Sequence, residues 1–345
     1  MRALITGGSG FIGRHLARAL ARQGVAVVNL DLVPPSHDPP FVRSVQGDVR
    51  DPRAVEAAVR DCQLIVHLAA AHHDHGIDER TYFDVNEGGT RVVTAAADAA
   101  GVRRIVFTSS VAVYGSGHAE PDESAVPEPG TPYGSSKLAA ERVLEAWVDR
   151  TPGAGATVLR PAVVFGPYHF ANMYSLVRQI HAGRFLPVGD GRNVKSLAYV
   201  HNLVDAILFL LSTVPAEPYE VYNYVDKPDL SSWEIADRIA ESLGRRPSAF
   251  RVPLPVALAL ATPLEAFAAL SGRPIVVSRA RIRKLAAAET RFAAERIRAR
   301  GFVPRYTLDE GLSDMVRWYL EEGRSLAPAV HLPPPTVAAG AGALH

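Results

Sequence analysis

The stretch "TGGSGFIG" (6–13) joins an apolar run, "RALIT" (2–6), to a helical pattern, "FIGRHLARALARQG" (11–24). Gly7, Gly10 and Gly13 fall three apart. The first permits a tight turn, the second lets backbone approach a diphosphate, and the third lets a helix lie close on a strand. The helix start adds unpaired N–H groups and a positive dipole end, which suit phosphate oxygens. Strand, turn and helix in this order raise the pattern above bare glycine spacing.

The next apolar run, "VAVVNLD" (25–31), ends in Asp31, 24 residues after Gly7. A carboxylate there accepts hydrogen bonds from a ribose 2′-hydroxyl and repels a 2′-phosphate, so the expected cofactor is NAD rather than NADP. Asp48 in "QGDVRD" lies where it would meet the adenine edge, or serve only as a turn residue.

Three further runs, "LIVHLA" (64–69), "RIVFTS" (104–109) and "TVLRPAVVF" (157–165), are apolar without alternation, as strands buried on both faces are. Helical patterns separate them at 51–61, 82–101 and 133–150. Asp51 before Pro52 predicts a helix start, and Gly24 and Gly101 predict stops. Repeated βα units predict an α/β fold, a doubly wound parallel sheet (Rossmann).

After Phe165 the alternation loosens. "SLAYV" and "HNLVDAILFLLS" (196–212) read as a strand and helix returning to the sheet. The expected organisation is a dinucleotide-binding domain, 1–165 plus 196–225, and a smaller discontinuous substrate-binding domain, 166–195 plus 226–324. A Pro/Ala/Gly-biased tail, 325–345, is expected to be flexible.

Composition narrows the partners. A net charge of +1 over 345 residues marks neither nucleic acid nor an anionic membrane as a partner. Cys62 is the single cysteine, which excludes an internal disulfide and fits a reducing compartment. "MRALITGG" runs straight into a strand, so no leader peptide is expected. The apolar stretch 252–270 holds three prolines and Glu265, a poor membrane span. It reads better as a buried helix pair or a cap over a pocket, with peripheral membrane contact the lesser reading. A cytoplasmic protein with no integral membrane segment is expected.

In "TPYGSSK" (131–137), Tyr133 and Lys137 share a helix face, four residues apart. A nearby ammonium favours the phenolate, and a tyrosine so tuned exchanges a hydroxyl proton as hydride moves. "FTSSVAVYG" (107–115) places Ser109 and Ser110 where a strand ends, at the ligand crevice of such a sheet. Spacing alone leaves open whether the pair is helix surface or an acid/base site.

The set "TGGSGFIG", "GDV", "HLAA", "TSSVAVYG", "PYGSSK", "LRPAVVFGP" and "SLAYVHNLVDA" resembles, in order and spacing, the extended short-chain dehydrogenase/reductase family of NAD-dependent nucleotide-sugar epimerases and dehydratases. The resemblance spans residues 1–324. It implies that Ser110, Tyr133 and Lys137 are catalytic. It also implies that Gly7, Gly10, Phe11, Ile12, Gly13, Asp31, Asp48, Val49, Leu68, Ala69, Ala70 and Asn86, with Tyr133 and Lys137, contact NAD. A homodimer through the helices at 82–101 and 133–150 is a habit of the family.

Departures from the family's patterns narrow the reaction. Dehydratases carry Thr-Asp-Glu where this chain has Ser110-Val111-Ala112, so the groups that elimination needs are missing. The remaining chemistry is one hydride and one proton. That is 4-epimerisation of a nucleotide-diphosphate sugar through a 4-keto intermediate. The alternative is an NAD(P)-dependent dehydrogenase or reductase of a 4-keto nucleotide sugar or a 3β-hydroxysteroid-like alcohol. A redox-sensing regulator without chemistry typically loses the Tyr or Lys kept here. In the substrate half, Val163 replaces a frequent Asn and Lys195 a frequent Arg, which loses the bidentate fork toward phosphate. Asn172, Lys195 and Arg281, with Ser110, are the expected substrate contacts. No metal is expected: His72, His73 and His75 in "AHHDHG" lack a fixed ligand geometry. The arginine-dense stretch 279–300 reads as a solvated helical face.

Overall fold

The computed structural model describes residues 1–35, 40–72, 77–117, 119–247, 252–259, 262 and 290–326. Seven strands form one parallel sheet: β1 (Arg2–Thr6), β2 (Ala26–Asp31), β3 (Phe41–Gln46), β4 (Leu64–His67), β5 (Arg104–Thr108), β6 (Gly155–Pro161) and, last in chain order, β9 (Tyr219–Tyr224). Their order across the sheet is β3-β2-β1-β4-β5-β6-β9. The chain winds outward on both sides of the β1–β4 boundary, and that reversal opens a crevice at the carboxyl ends of the two strands.

Both sheet faces are covered, which is why the strands read as continuous apolar runs. On one face α2 (Pro52–Val59), α4 (Gly89–Ala100) and α5 (Pro132–Arg150) bury Val55, Val93, Ala97, Leu144 and Trp147 against Leu4, Ile65 and Phe107. On the other, α1 (Phe11–Arg22), α7 (Val200–Ser212) and α9 (Glu295–Ala299) bury Leu16, Leu20, Leu203, Ile207 and Ile297 against Ala3, Ile5 and Val66. Asp51 caps α2 by accepting from the Arg53 N–H, with Pro52 at the first helical position. Gly101 ends α4 at a φ of 71°. The helix expected at 82–101 starts earlier, as α3 (Glu79–Phe83), and passes through a π-turn, Asp84–Gly88, before α4.

Two expectations fail on sheet membership. "TVLRPAVVF" is not one strand: β6 ends at Pro161, and β7 (Val163–Phe165) joins a second, three-stranded sheet of order β10-β8-β7. "SLAYV" lies in β8 (Val194–Tyr199), which does not return to the main sheet but pairs with β7 in parallel and with β10 (Asp226–Ser231) antiparallel. The seventh place in the main sheet belongs to β9, paired with β6 from Ala156↔Tyr219 to Pro161↔Tyr224. The helix after "SLAYV" behaves as expected, since α7 packs on the main-sheet face.

A third apolar cluster joins α6 (Asn172–His181), α8 (Ser232–Ser242) and α10 (Leu308–Trp318) over β8, with Tyr174, Leu197, Ile239, Leu312 and Trp318 buried in it. Arg281, His73, His75, most of 252–270 and residues 327–345 lie outside the described residues. Among the described residues no helix is long and apolar enough to cross a membrane.

Candidate active site

The glycine turn leaves β1 at Gly7, whose φ is 73° and whose N–H donates to the Leu30 carbonyl at 2.8 Å. A Cβ on Gly7 would stand 2.8 Å from the Ala69 backbone nitrogen, so the turn and the loop after β4 touch across the β1–β4 boundary. A Cβ on Gly13 would stand 2.5 Å from the Gly7 carbonyl oxygen; its absence lets α1 start against the turn. Within 4 Å a Cβ on Gly10 would meet only that same carbonyl, at 3.1 Å, so the turn is open on that side. Gly10 caps α1 with no side-chain hydrogen bond to the helix N–H groups.

Asp31 closes β2 with Oδ2 accepting from the Ser9 N–H at 3.0 Å and Oδ1 from the Val33 N–H at 3.2 Å. Its carboxylate therefore sits on the glycine turn. Asp48 is held by Arg50, with Nη2–Oδ2 at 2.6 Å. Burial opposes its charge, but the hydrogen bonds from Arg50 prevail and lower its pKa. Val49 packs on Gly89, where a Cβ would stand 2.8 Å from Val49 Cγ1. The side chains of Phe11 and Ile12 pack toward the third cluster, and the Phe11 ring stacks on His169 at 4.3 Å. The turn thus faces the crevice with backbone rather than with those side chains.

Asn86, from the π-turn, is 1% exposed. Its Oδ1 accepts from the Ala71 N–H, and its amide donates to the Ala71 carbonyl and to Ser136 Oγ. Both amide hydrogens are engaged, so Asn86 fastens the loop after β4 to α5. Leu68 and Ala69 are part-buried at the same strand end, beside Ala70. Below lies His67, fully buried in β4. Thr90 donates its hydroxyl hydrogen to the Asn86 carbonyl at 2.6 Å, so it accepts from His67 Nε2 at 3.1 Å. The His67 Nδ1 then accepts from the Thr6 hydroxyl at 2.6 Å. Burial lowers the His67 pKa to about 3, so the ring is neutral and its tautomer fixed.

Thr131 caps α5 by accepting from the Gly134 N–H, and Pro132 occupies the first helical position. Tyr133 and Lys137 follow on one face. A Cβ on Gly134 would lie 2.4 Å from the Ala112 carbonyl oxygen, so glycine lets α5 close on the 3-10 turn Val111–Tyr114. Ser110 caps that turn, its Oγ accepting from the Ala112 N–H at 3.1 Å. The fold therefore brings the helix start bearing Tyr133 against the turn that Ser110 opens. Lys137 is 1% exposed, with Nζ 4.1 Å from the centroid of the Phe107 ring. Burial lowers its pKa to about 7, and the charge of Glu141 works the other way.

Of the expected substrate contacts, Lys195 lies in β8 opposite Leu230, and Asn172 is exposed at the start of α6. Val163 opens β7, half-exposed, in the same small sheet as Lys195. The arrangement of the loops around 290 was not legible: Thr290 runs beside Lys195 and exchanges backbone hydrogen bonds with Val194 and Ser196. Glu141, Arg160 and His67 were missed as well. His67 and Arg160 did carry a signal, a polar residue inside an otherwise apolar run, which has to find a partner when buried; Glu141, on a helix rich in charges, carried none.

A doubly wound sheet with an open glycine turn at its reversal point and a Tyr–Lys helix face beside it defines a dinucleotide-dependent α/β enzyme. The NAD dependent epimerase/dehydratase family model matches residues 3–224, and the chain belongs to that family. NAD is the family's cofactor, and the uncapped N–H groups of α1 with the open side of Gly10 suit its diphosphate. The chain is 39% identical over 316 residues to the N-acetyl-alpha-D-glucosaminyl-diphospho-ditrans,octacis-undecaprenol 4-epimerase of Escherichia coli O157:H7, covering 91% of this chain and 94% of that protein. Among solved structures it is similar to MoeE5 in complex with UDP-glucuronic acid and NAD, at 27% identity and a TM-score of 0.75 over 94% of this chain and 100% of that one. It is also similar to DesIV, a dTDP-glucose 4,6-dehydratase from Streptomyces venezuelae with NAD bound, at 28% identity and a TM-score of 0.75 over 95% and 99% of the two chains.

Proposed function

We propose that the protein is an NAD-dependent 4-epimerase of a diphosphate-linked N-acetylhexosamine, with a polyprenyl carrier on the diphosphate. The observation that carries this reading is the 39% identity, over nearly the whole of both chains, to a 4-epimerase of such a lipid-linked sugar. NAD would supply reversible hydride exchange with the sugar. Gly7, Gly10 and Gly13 with the backbone of Phe11 and Ile12 would hold its diphosphate, and Asp31 its ribose. Asp48, Val49, Leu68, Ala69 and Ala70 line the remainder, with Asn86 keeping the loop in place.

Tyr133 takes the proton of the sugar's 4-hydroxyl and returns it after the 4-keto sugar presents its other face. Ser110 donates a hydrogen bond to the same oxygen, and the Lys137 ammonium favours the phenolate. Val111 and Ala112 bring no carboxyl group to the site, so the 6-hydroxyl stays in place. Lys195, Asn172 and Arg281 are the groups assigned to the diphosphate and sugar, within a substrate-binding half formed by 166–195 and 226–324. A nucleoside carrier is the second reading, favoured by the likeness to MoeE5 bound to UDP-glucuronic acid.

The test incubates the protein as isolated, with no cofactor added, with N-acetylglucosaminyl-diphospho-polyprenol and, in parallel, with UDP-N-acetylglucosamine. The released sugars are then analysed for N-acetylgalactosamine. Conversion of the lipid-linked sugar supports the proposal, and conversion of the UDP-sugar alone moves the carrier to a nucleoside. Stoichiometric consumption of NADH or NADPH on a 4-keto substrate, with no epimer from either donor, would replace it by a reductase.

A further inference from the structure

One face of α5 presents Tyr133, Lys137 and Glu141 at successive turns. The first two have roles in the proposed chemistry, and the third has none. Glu141 is nevertheless 2% exposed, and both of its carboxylate oxygens are hydrogen-bonded. Its Oε1 accepts from the Ser109 hydroxyl and from Arg160 Nε at 3.0 Å, and its Oε2 from Arg160 Nη2 at 2.5 Å. Arg160, on β6, is also buried and donates to Tyr114 Oη at 2.8 Å; Tyr114 in turn donates to Asn223 Oδ1. Burial works against the Arg160 charge, but the bonds to Glu141 outweigh it and raise the pKa.

We infer that Glu141, anchored by Arg160, is a positioning residue of the active site: it supplies the counter-charge to Lys137 and ties the Ser109–Ser110 strand end to α5. The inference rests on Tyr133 and Lys137 acting as proposed above. A buried ion pair of this kind is a poor device for stability alone, since desolvating both charges offsets most of their attraction. Here the carboxylate stands one turn from an ammonium that burial discharges, and Glu141 is the charge that opposes that discharge.

The other groups around Lys137 do not share the task. On β4, His67 is neutral, with its pKa near 3. On β5, Phe107 offers a ring face. Tyr114 on the 3-10 turn is held in the Arg160 network, with its pKa raised by burial. Asp84 and Glu87 of the π-turn pair with Arg80 and Arg91 at the surface. Glu141 also acts on Ser110 through its neighbour, because the Ser109 hydroxyl is bonded to it while Ser110 opens the turn facing α5.

The test compares wild type, E141Q and the doubly neutral E141Q/R160Q in pH profiles of kcat and KM, with melting temperature and retained NAD recorded for each. The double variant removes both partners of the Glu141–Arg160 pair together, so neither is left as a buried charge facing an absent partner; Gln at 160 is shorter than Arg and gives up the bond to Tyr114, and the melting temperature reads that cost separately. The expected result is that the limb reporting Lys137 deprotonation moves down by about 1 pH unit or more, with kcat falling more than tenfold at pH 7 and KM changing little. E141D is expected to restore part of the profile. A folded, NAD-retaining double variant with the wild-type profile overturns the inference, as does loss of activity in proportion to loss of folded protein. Tyr133→Phe separates the premises: if it keeps the wild-type rate, the Tyr–Lys assignment itself has failed. If it is inactive while the double variant behaves as wild type, only the role given to Glu141 has failed.

Discussion

Lys137 carries a cost in the folded state, because its ammonium is removed from water with one ring and one carboxylate to compensate. Its folded pKa of about 7 lies below the roughly 10.4 of an exposed lysine. Below pH 7 the group is charged in both states and the penalty is complete. Between pH 7 and about 10.4 the unfolded chain binds the extra proton, so the penalty is relieved as pH rises. Lys137→Met is accordingly expected to melt higher than wild type at pH 6–7, by about 2–4 °C for each kcal/mol relieved, with the gain shrinking toward pH 10. Calorimetry of the cofactor-free protein reads this, and Glu141 stays satisfied by Arg160 and Ser109 in the variant. Epimerisation by the same variant is expected to fall about 100-fold or more. Lys137 was singled out in the sequence by its spacing to Tyr133 together with the flanking family motifs; Glu141 was not, because a glutamate on a long helix usually faces water.

The relation of α5 to the turn after β5 depends on Gly134. Its missing Cβ leaves room for the Ala112 carbonyl, and backbone cannot swing aside as a flexible side chain can. Gly134→Ala is expected to push the helix start off the turn and destabilise the fold by about 1–3 kcal/mol. The same change is expected to cut kcat at least tenfold at full cofactor occupancy, read by steady-state rates beside urea denaturation. Among the strands, β1, β2, β4 and β5 were legible because they are buried on both faces. The edge strand β3 was missed: its residues alternate between part-buried and exposed, and it pairs on one side only. The break between β6 and β7 was missed for another reason. Both halves are apolar, and the partner that claims β7 is Leu197–Tyr199, more than thirty residues onward.

Across the whole molecule, α4 and α5 present a shallow cleft of about 560 Å³ lined by Glu87, Arg91, Arg142, Ala146 and Arg150 among others. These are the helices through which a homodimer is expected, and Glu87–Arg91 is already paired within one chain. Light scattering is expected to give twice the chain mass of 37.1 kDa, and Ala146→Glu to shift it to the single-chain value without loss of NAD. An unchanged mass in that variant removes α5 from the interface.

The amino-acid order settled the class of fold, because glycine placement and apolar runs are local constraints that no distant residue overrides. Tertiary structure decided which sheet each later strand joins, since β7 and β8 read like the main-sheet strands and differ only in their long-range partners. It decided as well how the buried charges are shared. Arg160 could have met any carboxylate, and only the packing of β6 beneath α5 gives it Glu141, one turn from Lys137.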